Sequence, residues 1–243
     1  MNELVTYSNS DSIISELFKT LRTNIEFGTK KTHNTIMITS AEVGDGKSFV
    51  ASNLAVTFAQ IGKKILVIDL DLRKGQVDKI FKLYNTDGMS DLIKAQLRDS
   101  KIMEKELEKV LRKTEVENLF AITAGTRVNN PAELIMNGNL SLFLNYLRER
   151  FDYIFIDVPP IGSVTDPAII ARYVDNAIMV VSMDKTNSKS LKECSKILKK
   201  SNVNILGVVV NRVNIKSRNY KYTKYEYKEE IKKKFDFKKI FSV

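Results

Sequence analysis

Six short runs of β-branched and apolar residues punctuate the chain: TIMITS (35–40), KILVIDLD (64–71), LFAITA (119–124), YIFIDVPP (153–160), NAIMVVSM (176–183) and ILGVVVN (205–211). None alternates apolar with polar, so each reads as a strand buried on both faces. Between them the apolar spacing switches to the helical period. Val50, Leu54, Ala55, Phe58 and Ile61 share a face, Ile102, Leu107 and Leu111 lie along a more charged segment, and Leu191, Ile197 and Leu198 along a third. Strands that alternate with helices require right-handed crossovers and a sheet covered on both sides. The expected fold is α/β, a doubly wound and mainly parallel sheet flanked by helices. Gly62, followed by two lysines, suits a left-handed cap ending the first of these helices.

A chain of 243 residues can bury one substantial core, so one domain is expected over 1–215. An amphipathic stretch at about 11–27, with Ile13, Ile14, Phe18, Leu21 and Ile25 at helical spacing, predicts an N-terminal helix. After Asn211 the pattern dissolves into charges and tyrosines without a steady period, and much of the tail at 216–243 is expected to be mobile. That tail holds ten Lys/Arg against four Asp/Glu, so it supplies +6 of the formal net charge of +10 and leaves the body only modestly basic.

Two absences narrow the chemistry. A single cysteine, Cys194, cannot form an internal disulfide, and with His33 as the only histidine there is no Cys/His set for zinc or nucleophilic catalysis. Cys194 reads as core packing and His33 as a surface turn residue. Carboxylates, lysine and phosphate remain. No apolar run approaches the ~20 residues that span a bilayer, and the start MNELVTYSNS lacks a secretory apolar region. A cytosolic location is expected.

The loop SAEVGDGKSF, Ser40 to Phe49, lies between a predicted strand and a predicted helix. It departs from the phosphate-loop pattern G-x-x-x-x-G-K-[ST] only at Ala41. Gly44 and Gly46 let backbone N–H groups turn toward phosphate, Lys47 reaches the β and γ oxygens, and Ser48 can hold Mg²⁺. Alanine at 41 is tolerable where no positive φ is needed. Two strand ends add acid: Asp69 and Asp71, two apart and expected on one side, and Asp157 after YIFI. Three carboxylates at the carboxyl edge of a parallel sheet suit Mg²⁺, which prefers hard oxygen ligands. Asn211 and Arg212 should reach the same edge, where an amide can read a purine and a guanidinium can stack on it.

In order through the chain, ELFKTLRTNIEF, TIMITSAEVGDGKS, ILVIDLDLRKGQVDKIF, NTDGMSDLI, LFAITAGTRVNNPAELI, FDYIFIDVPPIGSVTDP and ILGVVVNRV, followed by a tyrosine cluster, resemble the bacterial tyrosine kinases of capsular and exopolysaccharide synthesis, of the CpsD/CapB type. The resemblance implies the P-loop NTPase fold and ATP-dependent autophosphorylation on tyrosine. It implies catalytic roles for Lys47, Asp69, Asp71 and Arg73, with Asp69 as base or orienter, and ATP contacts from Val43, Gly44, Asp45, Gly46, Lys47, Ser48, Phe49, Asn211 and Arg212. It further implies Mg²⁺ on Ser48, Asp71 and Asp157, and acceptor tyrosines at Tyr220, Tyr222, Tyr225 and Tyr227 in a flexible tail. An E-x-x-R-x-x-R motif that builds a ring in the family reads here as Glu16, Lys19 and Arg22, and lysine loses the bidentate fork. Implied partners are a membrane-anchored activator of the polysaccharide co-polymerase type, which recruits the kinase to the inner face of the membrane, further copies of the chain, and a tyrosine phosphatase. No nucleic acid is expected. Val43 and Gly75 stand where the family usually has proline.

The alternative is a nucleotide-switched partition or positioning ATPase that binds DNA or membrane. Such proteins carry a signature lysine five positions before the second motif lysine, and Glu42 stands there. A membrane-binding terminal helix is a third reading, but Ile231, Phe235, Phe237, Ile240 and Phe241 scatter around a helical wheel.

Overall fold

The computed structural model describes residues 4–29, 34–95, 100–214, 229, 231–237 and 240. Helices α1 (Val5–Ser8) and α2 (Ile13–Gly28) precede strand β1 (Thr35–Ser40), and α3 (Lys47–Ala59) leads to β2 (Ile65–Asp69). Then come α4 (Val77–Phe81), α5 (Met89–Lys94), α6 (Ser100–Val110), the two-residue β3 (Arg112–Lys113) and β4 (Leu119–Ile122). Helices α7 (Pro131–Asn137) and α8 (Leu140–Arg148) lead to β5 (Tyr153–Asp157), α9 (Asp166–Ile170) to β6 (Asn176–Ser182), and α10 (Ser188–Lys200) to β7 (Asn204–Asn211).

All six apolar runs are strands, and the sheet order is β3-β4-β2-β5-β1-β6-β7. Every pairing is parallel except β3 with β4. Strand β3 was not expected: Arg112 and Lys113 carry no apolar signal, and a short charged edge strand serves chiefly to blunt the sheet. One apolar cluster lies on each face of the sheet; β1 and β2 are fully buried between them, and β5 is buried from Ile154 onward.

Helix α3 is buried nearly all round rather than on one face, because α1 and α2 cover its outer side. The polar residues this traps are bonded, as burial demands. Thr6 N–H and Thr6 Oγ1 both donate to Asn53 Oδ1 at 3.0 Å, and Gln60 Nε2 donates to Thr6 O at 3.0 Å. Helix α2 starts where Ser12 Oγ accepts from Ser15 N–H, and it buries Phe18 and Ile25 while Ile14 stays exposed. Gly62 takes the left-handed conformation, φ 79°, as expected of a helix-ending glycine. On α10 the buried face is Leu191, Cys194, Ser195 and Leu198, and Ile197 is turned outward.

Beyond Asn214 two of the described residues bury. Phe235 is fully buried and Ile240 nearly so, both in the cluster that holds Leu191 and Leu198. Ser188 Oγ donates to Lys234 O, Lys234 Nζ to Met183 O, and Ser195 Oγ to Ile240 O at 3.2 Å. The wheel assumed a continuous helix, whereas the helical turn at 231–234 is broken at 235–236 before helical backbone at 237 and 240, so two anchors bury without sharing one helical face. Tyr220, Tyr222, Tyr225, Tyr227 and His33 lie outside the described residues.

Candidate active site

The turn from β1 into α3 is set by two glycines that L side chains could not replace. Gly44 and Gly46 sit at φ 85° and 94°, and a Cβ on Gly46 would overlap Asn211 Nδ2. Ala41 is buried and has no positive φ, which is why the missing first glycine is tolerated. The loop is stitched from within: Ser40 Oγ donates to Glu42 O, and Glu42 N–H to Asp45 Oδ2, each at 2.9 Å. Thr186 Oγ1 donates to the other Asp45 oxygen at 2.9 Å. Burial raises the Asp45 carboxyl above its ordinary range. Asp45 is thus a strut of the loop, Val43 points to solvent, and Phe49 meets Phe18 edge-on with centroids 5.9 Å apart.

Strand register brings the acids together. Asp69 on β2 lies directly beside Asp157 on β5, and Asp157 beside Ile38 on β1, the strand that feeds the loop. Lys47 Nζ stands 3.0 Å from Asp71 Oδ2, 3.2 Å from Asp157 Oδ1 and 3.3 Å from Ser48 Oγ. Burial works against the lysine charge, but Asp157 and Asp71 outweigh it and raise its pKa. Burial likewise raises Asp157, with Lys47 and Ser48 opposing. Asp157 is 0% exposed and its Oδ2 has no hydrogen-bond partner.

The two aspartates of the second acidic motif do not share one direction. Strand β2 stops at Asp69, so the two-residue alternation ends before Asp71. Asp71 reaches Lys47, whereas Asp69 accepts Asp71 N–H on Oδ1 at 3.0 Å, and Gln76 and Val77 N–H on Oδ2 at 2.9 and 3.0 Å. Gly75 makes room for this: a Cβ there would lie 2.7 Å from Asp69 Oδ2. Burial and the neighbouring Asp157 push the Asp69 carboxyl up to about 8, against Lys47 and its N–H donors.

Arg73 turns away from these acids. Its Nε and Nη2 donate to Asp166 Oδ2 and Oδ1 at 2.8 and 3.1 Å, a bidentate pair on a buried carboxylate. Sequence reasoning assigned Asp166 no role. The available signal was the Asp-Pro pair that opens α9. Asn211 and Arg212 do reach the predicted edge, where Asn211 faces the loop and Arg212 a neighbouring carboxylate. Asn211 Nδ2 donates to Asp45 O at 2.9 Å and its Oδ1 accepts from Arg212 N–H at 2.8 Å. Arg212 pairs with Asp184 at 3.5 Å. Glu16, Lys19 and Arg22 lie on α2 and are bonded within the chain. Lys19 pairs with Glu16 at 2.7 Å, and Arg22 Nη1 donates to Thr57 O at 2.7 Å.

The donor set fits Mg²⁺. It is all oxygen, it presents an unpartnered buried carboxylate atom, and an ammonium already sits where the carboxylates converge. Among the described residues no group of three or more His, Cys, Asp or Glu is placed to hold a metal ion. An open hollow of ≈ 470 Å³ lined by Lys94, Arg127, Asn130 and Glu133 contains no loop residue. No helix among the described residues is long and apolar enough to cross a membrane.

Comparisons agree with this geometry. The ParA family model, described as NUBPL iron-transfer P-loop NTPase, matches residues 31–240. CapB of Staphylococcus aureus, named as a tyrosine-protein kinase, is 37% identical over 226 residues, covering 91% of this chain and 95% of that protein. Tyrosine-protein kinase YwqD of Bacillus subtilis is 32% identical over 232 residues, 95% of this chain and 94% of that one. Among solved structures, the chimerical protein CapA2B2 superposes with a TM-score of 0.78 at 32% identity, over 88% of this chain and 91% of that chain. With its loop, paired acidic strand ends and near-full-length kinase relatives, the chain belongs to the bacterial tyrosine kinases, a branch of the ParA-type P-loop NTPases that phosphorylates protein tyrosine.

Proposed function

We propose that the kinase phosphorylates the tyrosine cluster of its own tail, Tyr220, Tyr222, Tyr225 and Tyr227, from Mg-ATP, and that this regulates capsular or exopolysaccharide synthesis. The observation that carries the reading is the convergence of Lys47, Asp71 and Asp157 at the mouth of the glycine loop. Lys47 would leave the two carboxylates for the β and γ phosphate oxygens, and Ser48, Asp71 and Asp157 would hold Mg²⁺. When bound, Mg²⁺ would supply charge neutralisation of the phosphates.

Asp69 is the orienter. Both of its oxygens are occupied by backbone N–H groups, so it fixes Asp71 and the start of α4. A phenol of pKa ~10 then attacks the γ phosphorus, ADP leaves, and the phenol proton passes to Asp71 or water. Arg73 braces this turn through Asp166. Asn211 holds the loop from β7.

The partner we propose is a membrane-anchored activator of the polysaccharide co-polymerase type, which brings the kinase to the inner face of the membrane. The solved relative CapA2B2 is itself a chimera, in keeping with a kinase that works joined to a second component. The chain would assemble with further copies, a tyrosine phosphatase would reverse the mark, and ring contacts through α2 compete with the in-chain bonds of Lys19 and Arg22. The partition-ATPase alternative lacks its signature lysine at Glu42.

The test is phosphotyrosine mapping by mass spectrometry on the full chain isolated from its own cells, where any activator is present, with Lys47→Met as control. Label on the tail that vanishes in the control supports the reading. Absence of phosphotyrosine from both, with ATP-dependent binding to vesicles or DNA, would overturn it.

A further inference from the structure

Five of the nine tyrosines are described, and four are occluded or bonded. Tyr153 packs on Phe58 and Phe155 with centroids 4.5 and 6.3 Å apart, and Tyr173 packs against the core. Tyr146 has a buried hydroxyl and carries the Arg150 guanidinium 3.5 Å from its ring centroid. Tyr7 is 48% exposed, and its hydroxyl donates to Glu115 O at 3.3 Å. Tyr84 is 85% exposed and has no hydrogen bond or ring contact with any other described residue.

Its backbone, by contrast, is fixed on both sides. Lys82 ends α4 in the left-handed conformation, and Leu83 N–H donates to Asp78 O at 2.8 Å while its side chain packs on the core. Asn85 Oδ1 accepts from Gly125 N–H at 2.8 Å, and its Nδ2 donates to Gly125 O at 3.4 Å. Gly125 follows the carboxyl end of β4, so Tyr84 stands on the same edge of the sheet as the acidic strand ends. Helix α4, which leads to Tyr84, is itself tied to Asp69 through Gln76 and Val77.

We propose that Tyr84 is a phosphate acceptor outside the tail, presented on a braced turn to the active site of a second copy of this chain. The proposal rests on the kinase reading and adds a site to it. The phenol is held outward by a turn bonded at Leu83 and Asn85, while the carboxylates it must approach are buried, so transfer runs between copies. Tyr84 Oη attacks the γ phosphorus of ATP in the other copy. An O–P bond forms as the bond to the β-γ bridging oxygen breaks, ADP leaves with that electron pair, and the phenol proton goes to Asp71 of the other copy or to water. The product places a near-dianion two residues after Lys82, on the edge where copies would meet.

The experiment maps phosphotyrosine on the full chain from its own cells, reading the tryptic peptide Leu83–Lys94. In a full-length variant with all four tail tyrosines changed to Phe, that peptide should carry most remaining label, and adding Tyr84→Phe should lower total phosphotyrosine at least about tenfold. An isotope-labelled Lys47→Met chain mixed with active enzyme should acquire phosphate on Tyr84. Label on the tail with none on Leu83–Lys94 overturns the Tyr84 proposal and leaves the kinase reading intact, whereas no phosphotyrosine anywhere overturns both. Phosphate on Tyr84 of the active chain but never of the Lys47→Met chain overturns transfer between copies.

Discussion

Lys47 Nζ lies 3.0 Å from Asp71 Oδ2 and 3.2 Å from Asp157 Oδ1, so the lysine we propose to hold phosphate rests between the two acids we propose to hold Mg²⁺. In the proposed mechanism nucleotide and Mg²⁺ would replace this arrangement together, because releasing Lys47 alone leaves two buried carboxylates without a counter-charge. Lys47→Met should abolish phosphotyrosine and also destabilise the empty chain by up to about 3 kcal/mol at pH 8. That cost should shrink at pH 5, because burial raises the Asp157 carboxyl and a proton can neutralise it once Lys47 is gone. Urea denaturation at the two pH values checks it, and equal costs at both would refute it.

Asp69 gives the empty chain a pH signature. Its folded pKa of about 8 lies above the ordinary 3.8, so the folded state binds the proton more tightly. The associated stability is complete below 3.8 and is lost as pH rises through about 8. Unfolding midpoints in EDTA should therefore fall between pH 6 and pH 9, with a slope from this group of at most about 1.4 kcal/mol per pH unit. Asp69→Asn should flatten that slope while breaking the Gln76 and Val77 contacts.

At Gly46 a Cβ meets Asn211 Nδ2, and the residue sits at φ 94°. Gly46→Ala should cost about 1–2 kcal/mol in backbone strain and lower ATP affinity further by displacing Asn211. Asn211→Ala keeps the backbone but removes the bond to Asp45 O, so its nucleotide affinity should fall less. Calorimetric titration with ATP ranks the two, and the reverse order would refute the clamp.

Arg73→Lys keeps the charge but gives up the bidentate fork on buried Asp166. Phosphotyrosine formation should fall about tenfold, with ATP affinity within about twofold of the unchanged chain. A loss confined to ATP affinity would instead place Arg73 on the phosphates.

Phe235 is the fully buried anchor among the described tail residues. Phe235→Ala should expose residues 231–240 to proteolysis and amide exchange, and cost about 1–3 kcal/mol, below a full core truncation because the segment can detach instead of leaving a cavity. Unchanged exchange in 231–240 would refute the anchor.

The apolar pattern was enough to determine the sheet and its six principal strands, because strands buried on both faces read as short apolar runs without alternation, and the loop between β1 and α3 was legible because its turn needs Gly44 and Gly46 for their left-handed backbone. It also located all three acids, since carboxylates at strand ends leave a mark in the sequence. Tertiary structure alone decided what each acid faces. Asp69 turns to backbone N–H groups, Asp71 to Lys47, and Arg73 to a carboxylate 93 residues away. The same holds for Asn211 on the loop and for Phe235 and Ile240, which bury without a periodic pattern. Periodicity records which side of an element meets the core, whereas a hydrogen-bond partner distant in sequence is chosen only when strands are in register.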